Sequence, residues 1–168
     1  MTLLKSLEFA GCGLSGTIPT EIGLVGISQV PNNLVLNIER NRFEGSIPEE
    51  LYDIPALSRL GLGINSLTGT LSSRIGLFSQ LFFFDVSDND LSGTLPEEIF
   101  NLDKLKYLHI DGNTRLTGSI PEQFCSQKFQ HKEVHADCLS PTETELAIIR
   151  CPEGCCARCC NAGLCKEM

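Results

Sequence analysis

The chain has 168 residues, 42% hydrophobic and 20% charged, which is enough for one domain with its own core and excludes a disordered polar chain. The formal net charge of −8 argues against a phosphate-binding surface, and so against nucleic acid as the partner. No apolar run approaches the roughly 18 residues that would read as a membrane-spanning helix, so no transmembrane segment is expected in this chain.

The opening, residues 1–9, is interrupted by Lys5 and Glu8 and does not read as a signal peptide. It begins inside a repeat, with no capping segment over Leu7, Phe9 and Leu14, so the N-terminus is read as incomplete. The repeat itself is plain. Its phrases are Cys12-Gly-Leu-Ser-Gly-Thr-Ile-Pro19, Asn41-Arg-Phe-Glu-Gly-Ser-Ile-Pro48, Asn65-Ser-Leu-Thr-Gly-Thr-Leu-Ser72 and Asn89-Asp-Leu-Ser-Gly-Thr-Leu-Pro96. A fifth, Asn113-Thr-Arg-Leu-Thr-Gly-Ser-Ile-Pro121, carries one extra residue. The leading residues are spaced 29, 24, 24 and 24 apart, which puts an inserted loop near residues 26–32. Upstream of each phrase stand the alternating pairs Leu7/Phe9, Leu36/Ile38, Leu60/Leu62, Phe84/Val86 and Leu108/Ile110, each predicting a strand with one buried face. A single such strand cannot bury that face alone. Five stacked units can, and the result is a quasi-one-dimensional solenoid.

The leading Asn has a physical task. A tight turn after each strand leaves backbone groups inside the stack unpaired, and inward amides at Asn41, Asn65, Asn89 and Asn113 can satisfy them as a ladder. Cys12 fills the same slot in the first unit and is read as a small buried thiol. The recurring Gly gives access to backbone conformations closed to other residues, and Ile/Leu-Pro sets an extended segment before the next helical turn.

The pattern L-x-x-L-x-L-x-x-N-x-L-x-G-x-I-P at 24 residues resembles the plant-type leucine-rich repeat, a family that includes receptor-kinase ectodomains and polygalacturonase-inhibiting proteins. The resemblance covers residues 1–124 as five units in register; it departs at Asn33, where Leu is usual, at Ser72, where Pro is usual, and at the inserts. It implies an α/β leucine-rich-repeat solenoid: a right-handed superhelix with a parallel sheet on its concave side and 3₁₀ or short helical turns on its convex side.

Residues 125–168 read as a Cys-rich cap and tail. Nine cysteines occur in all, and Cys125, Cys138, Cys151, Cys155, Cys156, Cys159, Cys160 and Cys165 crowd one segment, which points to an oxidising compartment. Residues 129–137 are expected to form a last strand-like coil, with Cys138 where Asn would sit and a Cys125–Cys138 bridge sealing the end. Eight cysteines allow four disulfides whose pairing stays open; half a zinc knuckle or a redox pair at Cys156-x-x-Cys159 are the alternatives to disulfides. The tail following plant-type repeats resembles leucine-rich-repeat proteins of diatom-like microalgae.

Catalytic signatures are missing: no Walker-type loop, no G-x-S-x-G elbow and no kinase set. No cofactor is implied, and the chain is read as non-enzymatic. His131 and His135 flank Glu133 and could join cysteines around zinc, but are read as exposed side chains. The pairs Glu49/Glu50 and Glu97/Glu98 recur at the start of a helical turn, where negative charge is favourable.

With Leu7 and Phe9 inward, one concave column reads Ser6, Val35, Arg59, Phe83, Tyr107 and its neighbour Glu8, Asn37, Gly61, Asp85, His109. The candidate ligand-binding residues are Arg59, Phe83, Asp85, Tyr107 and His109, with Phe83 exposed at their centre; Arg and large aromatics are what interface hot spots favour. The expected function is recognition of a protein, peptide or glycan through the concave face, by a receptor-like or secreted protein outside the cell or at its surface. The alternatives are a structural or matrix protein crosslinked through its tail, and an intracellular scaffold with a zinc-binding tail. The absence of an Asn-x-Ser/Thr sequon favours the last.

Overall fold

The computed structural model of the chain describes residues 4–25, 33–125, 133–137, 149–151, 158–161 and 164–167. The inserted loop at residues 26–32, His131 and Cys138 lie outside them. Two kinds of strand alternate along the chain. The first coils contribute β1 (Ser6–Glu8), β2 (Ser15–Thr17), β3 (Leu34–Asn37), β4 (Arg42–Ser46), β5 (Leu57–Gly61) and β6 (Ser66–Thr68). The next coils contribute β7 (Phe83–Asp85), β8 (Ser92–Thr94), β9 (Tyr107–His109) and β10 (Arg115–Ser119). The C-terminal segment adds β11 (Glu133–Ala136), β12 (Ile149–Arg150), β13 (Arg158–Asn161) and β14 (Leu164–Glu167).

The odd-numbered strands and β14 make one eight-stranded sheet in the order β1-β3-β5-β7-β9-β11-β13-β14. Its pairs are parallel until the last, where β13 and β14 run antiparallel. The short even-numbered strands form two three-stranded parallel ribbons, β2-β4-β6 and β8-β10-β12, on the other side. Each coil is closed by a 3₁₀ turn or one short helix: Thr20–Leu24, Glu49–Asp53, Ser73–Leu77, Glu97–Asn101 and the α-helical turn Glu122–Cys125. This is a leucine-rich-repeat solenoid, with the parallel sheet on one face and 3₁₀ turns on the other.

The core is a stack of repeated layers between the sheets. Leu36, Leu60, Phe84, Leu108 and Val134 are buried one above another, as are Ile38, Leu62, Val86, Ile110 and Ala136. The first coil differs: Leu4, Phe9 and Leu14 are exposed. Pro19, Pro48 and Pro96 precede three of the 3₁₀ turns with extended backbone. Where the third unit has Ser72 instead, its Oγ accepts the Arg74 N–H at 3.3 Å and donates to Glu49 Oε2 at 3.0 Å, so a side-chain cap replaces the ring constraint.

The amides behind the sheet form a continuous ladder. Asn89 Oδ1 accepts the Leu67 N–H at 2.9 Å, while its Nδ2 donates to the Leu62, Val86 and Ser87 carbonyls, each at 3.1 Å. Asn41, Asn65 and Asn113 repeat this pattern one coil apart. At the far end the Asn113 N–H donates to Asp137 Oδ2 at 3.0 Å, so a carboxylate on the following coil takes over as acceptor. Cys12 is exposed rather than buried: its Sγ lies 3.7 Å from the Ala10 carbonyl, in a coil with a described neighbour on one side only.

The residue just before each ladder position is left-handed: Gly11, Arg40, Ile64, Asp88 and Gly112 have φ between 50° and 72°. That conformation turns the chain sharply enough to aim the next side chain inward, and non-glycine residues accept a strain of about 1 kcal/mol there. Gly112 has a further reason to be glycine, because a Cβ would lie 2.8 Å from the Asp88 backbone nitrogen.

Candidate binding surface on the concave sheet

Strand register sets the columns of the concave face. Ser6, Val35, Arg59, Phe83, Tyr107 and Glu133 are successive partners in one column, and Glu8, Asn37, Gly61, Asp85, His109 and His135 in the next. The five candidate residues are therefore brought together, and both columns run one coil further than the repeat phrases did. Carrying the columns past the extra residues into residues 133–135 was the signal that would have found Glu133 and His135.

Arg59, Phe83 and Tyr107 form an aromatic and cationic ridge. The Arg59 guanidinium lies 3.8 Å from the Phe83 ring centroid, within the range of a cation–π contact. The Phe83 ring is tilted against Tyr107 at 5.9 Å and meets His109 edge-on at 5.3 Å. These neighbours half-bury Phe83. The expectation of an exposed Phe83 is thus corrected: the exposed ring is Phe82, 44% accessible, edge-on to Tyr107 at 5.2 Å. Lys106 Nζ stands 5.3 Å from the Tyr107 ring and 5.9 Å from Phe82. Strand alternation does not point to Phe82 or Lys106, because both precede their strands.

Beside the ridge lies a hollow made by two missing side chains. A Cβ on Gly61 would come 2.2 Å from Glu39 Oε1, and one on Gly63 would come 2.7 Å from Asp85 Oδ1. The glycines thus let two carboxylates from neighbouring coils lie across the sheet. Glu39 Oε1 is 3.7 Å from Arg59, yet it is buried without a hydrogen-bond partner. Burial, with the Asp85 charge adding to it, lifts the Glu39 pKa above the ordinary carboxylate value, against the pull of Arg59 and Arg40.

Asp85 is better served. Its Oδ1 accepts the Ser87 N–H at 2.8 Å and the Ser87 hydroxyl at 2.7 Å, and its Oδ2 is 3.4 Å from His109 Nδ1. Burial opposes ionisation of Asp85, but the hydrogen bonds from His109 and Ser87 outweigh it and hold the pKa below the ordinary value. For His109 burial disfavours the cation, and the Asp85 hydrogen bond and charge, with Asp111 and Glu133 behind, raise its pKa overall. His135 is not exposed as expected: its ring stacks on His109 with centroids 4.2 Å apart and planes 4° from parallel. Glu133 Oε1 sits 3.1 Å from His135 Nε2 and 3.7 Å from His109 Nε2.

The whole surface thus grades from a cationic aromatic ridge to an acidic and imidazole-lined hollow within two columns. Such a surface offers rigid apolar contact area and oriented charges of both signs to an extended partner. Elsewhere, Cys151 is disulfide-bonded and Cys12 is a free thiol. The bonding of Cys125, Cys138, Cys155, Cys156, Cys159, Cys160 and Cys165 falls outside the described residues.

A profile of the Leucine Rich Repeat family matches residues 3–24, 80–102 and 104–127. Receptor-like protein 39 of Arabidopsis thaliana is 34% identical over 110 residues, 64% of this chain and 12% of its own length. This chain therefore spans a small part of the curated relatives it matches. Among solved structures, the BIR2 ectodomain from Arabidopsis thaliana superimposes with a TM-score of 0.64 and 33% identity, covering 73% of this chain and 62% of that one. The plant peptide hormone receptor RGFR1 in complex with RGF2 gives a TM-score of 0.68 and 30% identity over 80% of this chain and 21% of that one.

Proposed function

Because the chain is a plant-type leucine-rich-repeat protein, we propose that it serves as a receptor-like recognition module that binds a peptide or protein segment along its concave sheet. The carrying observation is the contiguous patch of Arg59, Phe83, Asp85, Tyr107 and His109, with Phe82 exposed at its margin. Positions that a solenoid needs for its own stability repeat from coil to coil. These do not, and they place aromatic rings on a sheet face that water would otherwise cover with polar side chains. An extended peptide can run across the strands and along the columns, whose successive side chains stand about 4.8 Å apart. The similar plant peptide hormone receptor RGFR1, solved in complex with RGF2, supports a peptide over a glycan. The disulfide at Cys151 supports an oxidising compartment outside the cell or at its surface. Among the described residues no helix is long and apolar enough to cross a membrane.

The test is to pan a random peptide library against the oxidised full chain and to remeasure the selected peptides on variants. Phe83→Ala with Tyr107→Ala is expected to weaken binding at least about tenfold, while Glu97→Gln with Glu98→Gln on a 3₁₀ turn is expected to leave it unchanged. Peptides that bind the aromatic double variant as well as they bind the native chain would remove the concave patch as the site.

A further inference from the structure

We propose that His109, Glu133 and His135 form a binding site for one divalent transition-metal ion of the zinc class, held at the C-terminal end of the concave sheet. This site does not depend on the peptide reading above. It arises from register: His109 and His135 are direct partners on the parallel strands β9 and β11, and Glu133 shares its strand and face with His135. One ligand atom from each residue can be chosen so that all lie within 4.8 Å of one another.

The distances fit such an ion. Bonds of about 2.0–2.1 Å in tetrahedral array place ligand atoms about 3.3 Å apart. Glu133 Oε1 already stands 3.1 Å from His135 Nε2 and 3.7 Å from His109 Nε2. The two rings need to change, because planes 4° apart aim their lone pairs side by side and not at one point. Because Asp85 holds His109, the ring that has to turn about χ2 for the lone pairs to converge is that of His135.

Two features mark His109 as prepared for a ligand. Asp85 Oδ2 faces its Nδ1, which fixes the proton there and leaves the Nε2 lone pair available. That Nε2 is buried and has no hydrogen-bond partner. A buried polar atom left unpaired is costly, and a metal bond would remove the cost. Two imidazoles and one carboxylate suit zinc, copper or nickel in preference to calcium or magnesium, which take oxygen ligands. Three protein ligands leave a coordination position that water or a partner's carboxylate can fill.

The experiment is calorimetric titration of the oxidised full chain with Zn²⁺ alone, after blocking the exposed Cys12 thiol, with far-UV circular dichroism and melting of each variant as the check on folding. One saturable equivalent is expected. His109→Ala and His135→Ala are each expected to weaken it about 100-fold or more, and Glu133→Gln about tenfold, with Asp85→Asn weakening it about 10–100-fold through the orientation of His109. Glu133 is the most exposed of the three, so its variant reports even where a histidine variant fails to fold. Absence of saturable zinc binding to the native chain overturns the proposal. So does an equivalent whose affinity is the same in His135→Ala and Glu133→Gln, since that ion would sit elsewhere in the chain.

Discussion

The ladder behind the sheet and the patch in front of it are built from the same strands, and they obey opposite rules. Behind the sheet, Asn41, Asn65, Asn89 and Asn113 make nearly superimposable sets of bonds to successive coils. In front, the same coils present Val35, Arg59, Phe83, Tyr107 and Glu133 in one column, with no two alike. Repetition marks what each coil needs in order to stack. Variation marks what stacking leaves free. A substitution in the ladder should therefore cost stability wherever an interior coil is touched, and a substitution on the patch should cost recognition first.

The largest expected effect is Asn89→Ala. It removes one acceptor from the Leu67 N–H and donors from the Leu62, Val86 and Ser87 carbonyls, in coils covered on both sides. Leaving these groups unpaired should lower the unfolding free energy by about 3 kcal/mol, read from urea denaturation. A loss below about 1 kcal/mol would mean that water enters the turn and that the ladder is not the spine of the stack.

Next in size is an alkaline effect on the other side of the core. Tyr52 is buried against Phe78, ring centroids 5.5 Å apart, and its Oη accepts the Ser72 N–H at 3.4 Å. Burial, with the Glu49 charge adding to it and the Ser72 hydrogen bond opposing, pushes its pKa up to about 12 from 10.0. The folded value lies above the unfolded one, so the phenol's contribution is fully present below pH 10 and is lost as pH rises through 12. Two units correspond to about 2.7 kcal/mol. Stability measured from pH 9 upward should fall more steeply for the native chain than for Tyr52→Phe. Parallel curves would show that this side of the spine is open to water.

The solenoid was legible because its causes are local and repeated. An Asn every 24 residues, with paired apolar residues upstream, leaves few other ways to bury those faces. The patch was legible in outline, since alternation along a strand assigns Arg59, Phe83, Asp85, Tyr107 and His109 to one face. What escaped depends on packing across coils. Phe83 is half-buried because Arg59 and Tyr107 close over it, and no pattern within one strand reports that. The stacking of His135 on His109 needed the register of β11, which extra residues displace from the 24-residue period. The left-handed Arg40, Ile64 and Asp88 carried no glycine to announce them. Cys12 matched the ladder slot in sequence, but burial there is supplied by neighbouring coils and not by the residue.

On the front of the sheet, Gly63→Ala is expected to cost about 1 kcal/mol, because its Cβ would stand 2.7 Å from Asp85 Oδ1 and 3.0 Å from Ser87 Oγ. The carboxylate must swing away from Ser87, and with it the contact that orients His109. Melting should therefore change little, while the His109 imidazole signals in NMR spectra and the affinity for patch-dependent peptides should change clearly. Melting depressed as far as in Asn89→Ala would erase the distinction between spine and surface.

The smallest expected effect is at the one ladder position that behaves like surface. Cys12 is exposed, and its thiol makes only a 3.7 Å contact with the Ala10 carbonyl. Cys12→Asn restores the residue type of every other coil, and an amide there can reach the carbonyls of its own turn as Asn41 does at 2.9 Å and 3.1 Å. The Oδ1 acceptor, however, has no described backbone N–H on its outer side, and that is the bond that Asn41, Asn65, Asn89 and Asn113 all make. The change in unfolding free energy should therefore stay within about 0.5 kcal/mol, as for other exposed sites. Maleimide should label residue 12 of the oxidised native chain, and that adduct should be missing from Cys12→Asn. A gain near that lost in Asn89→Ala would show that residue type alone, without a covering coil, makes a ladder position.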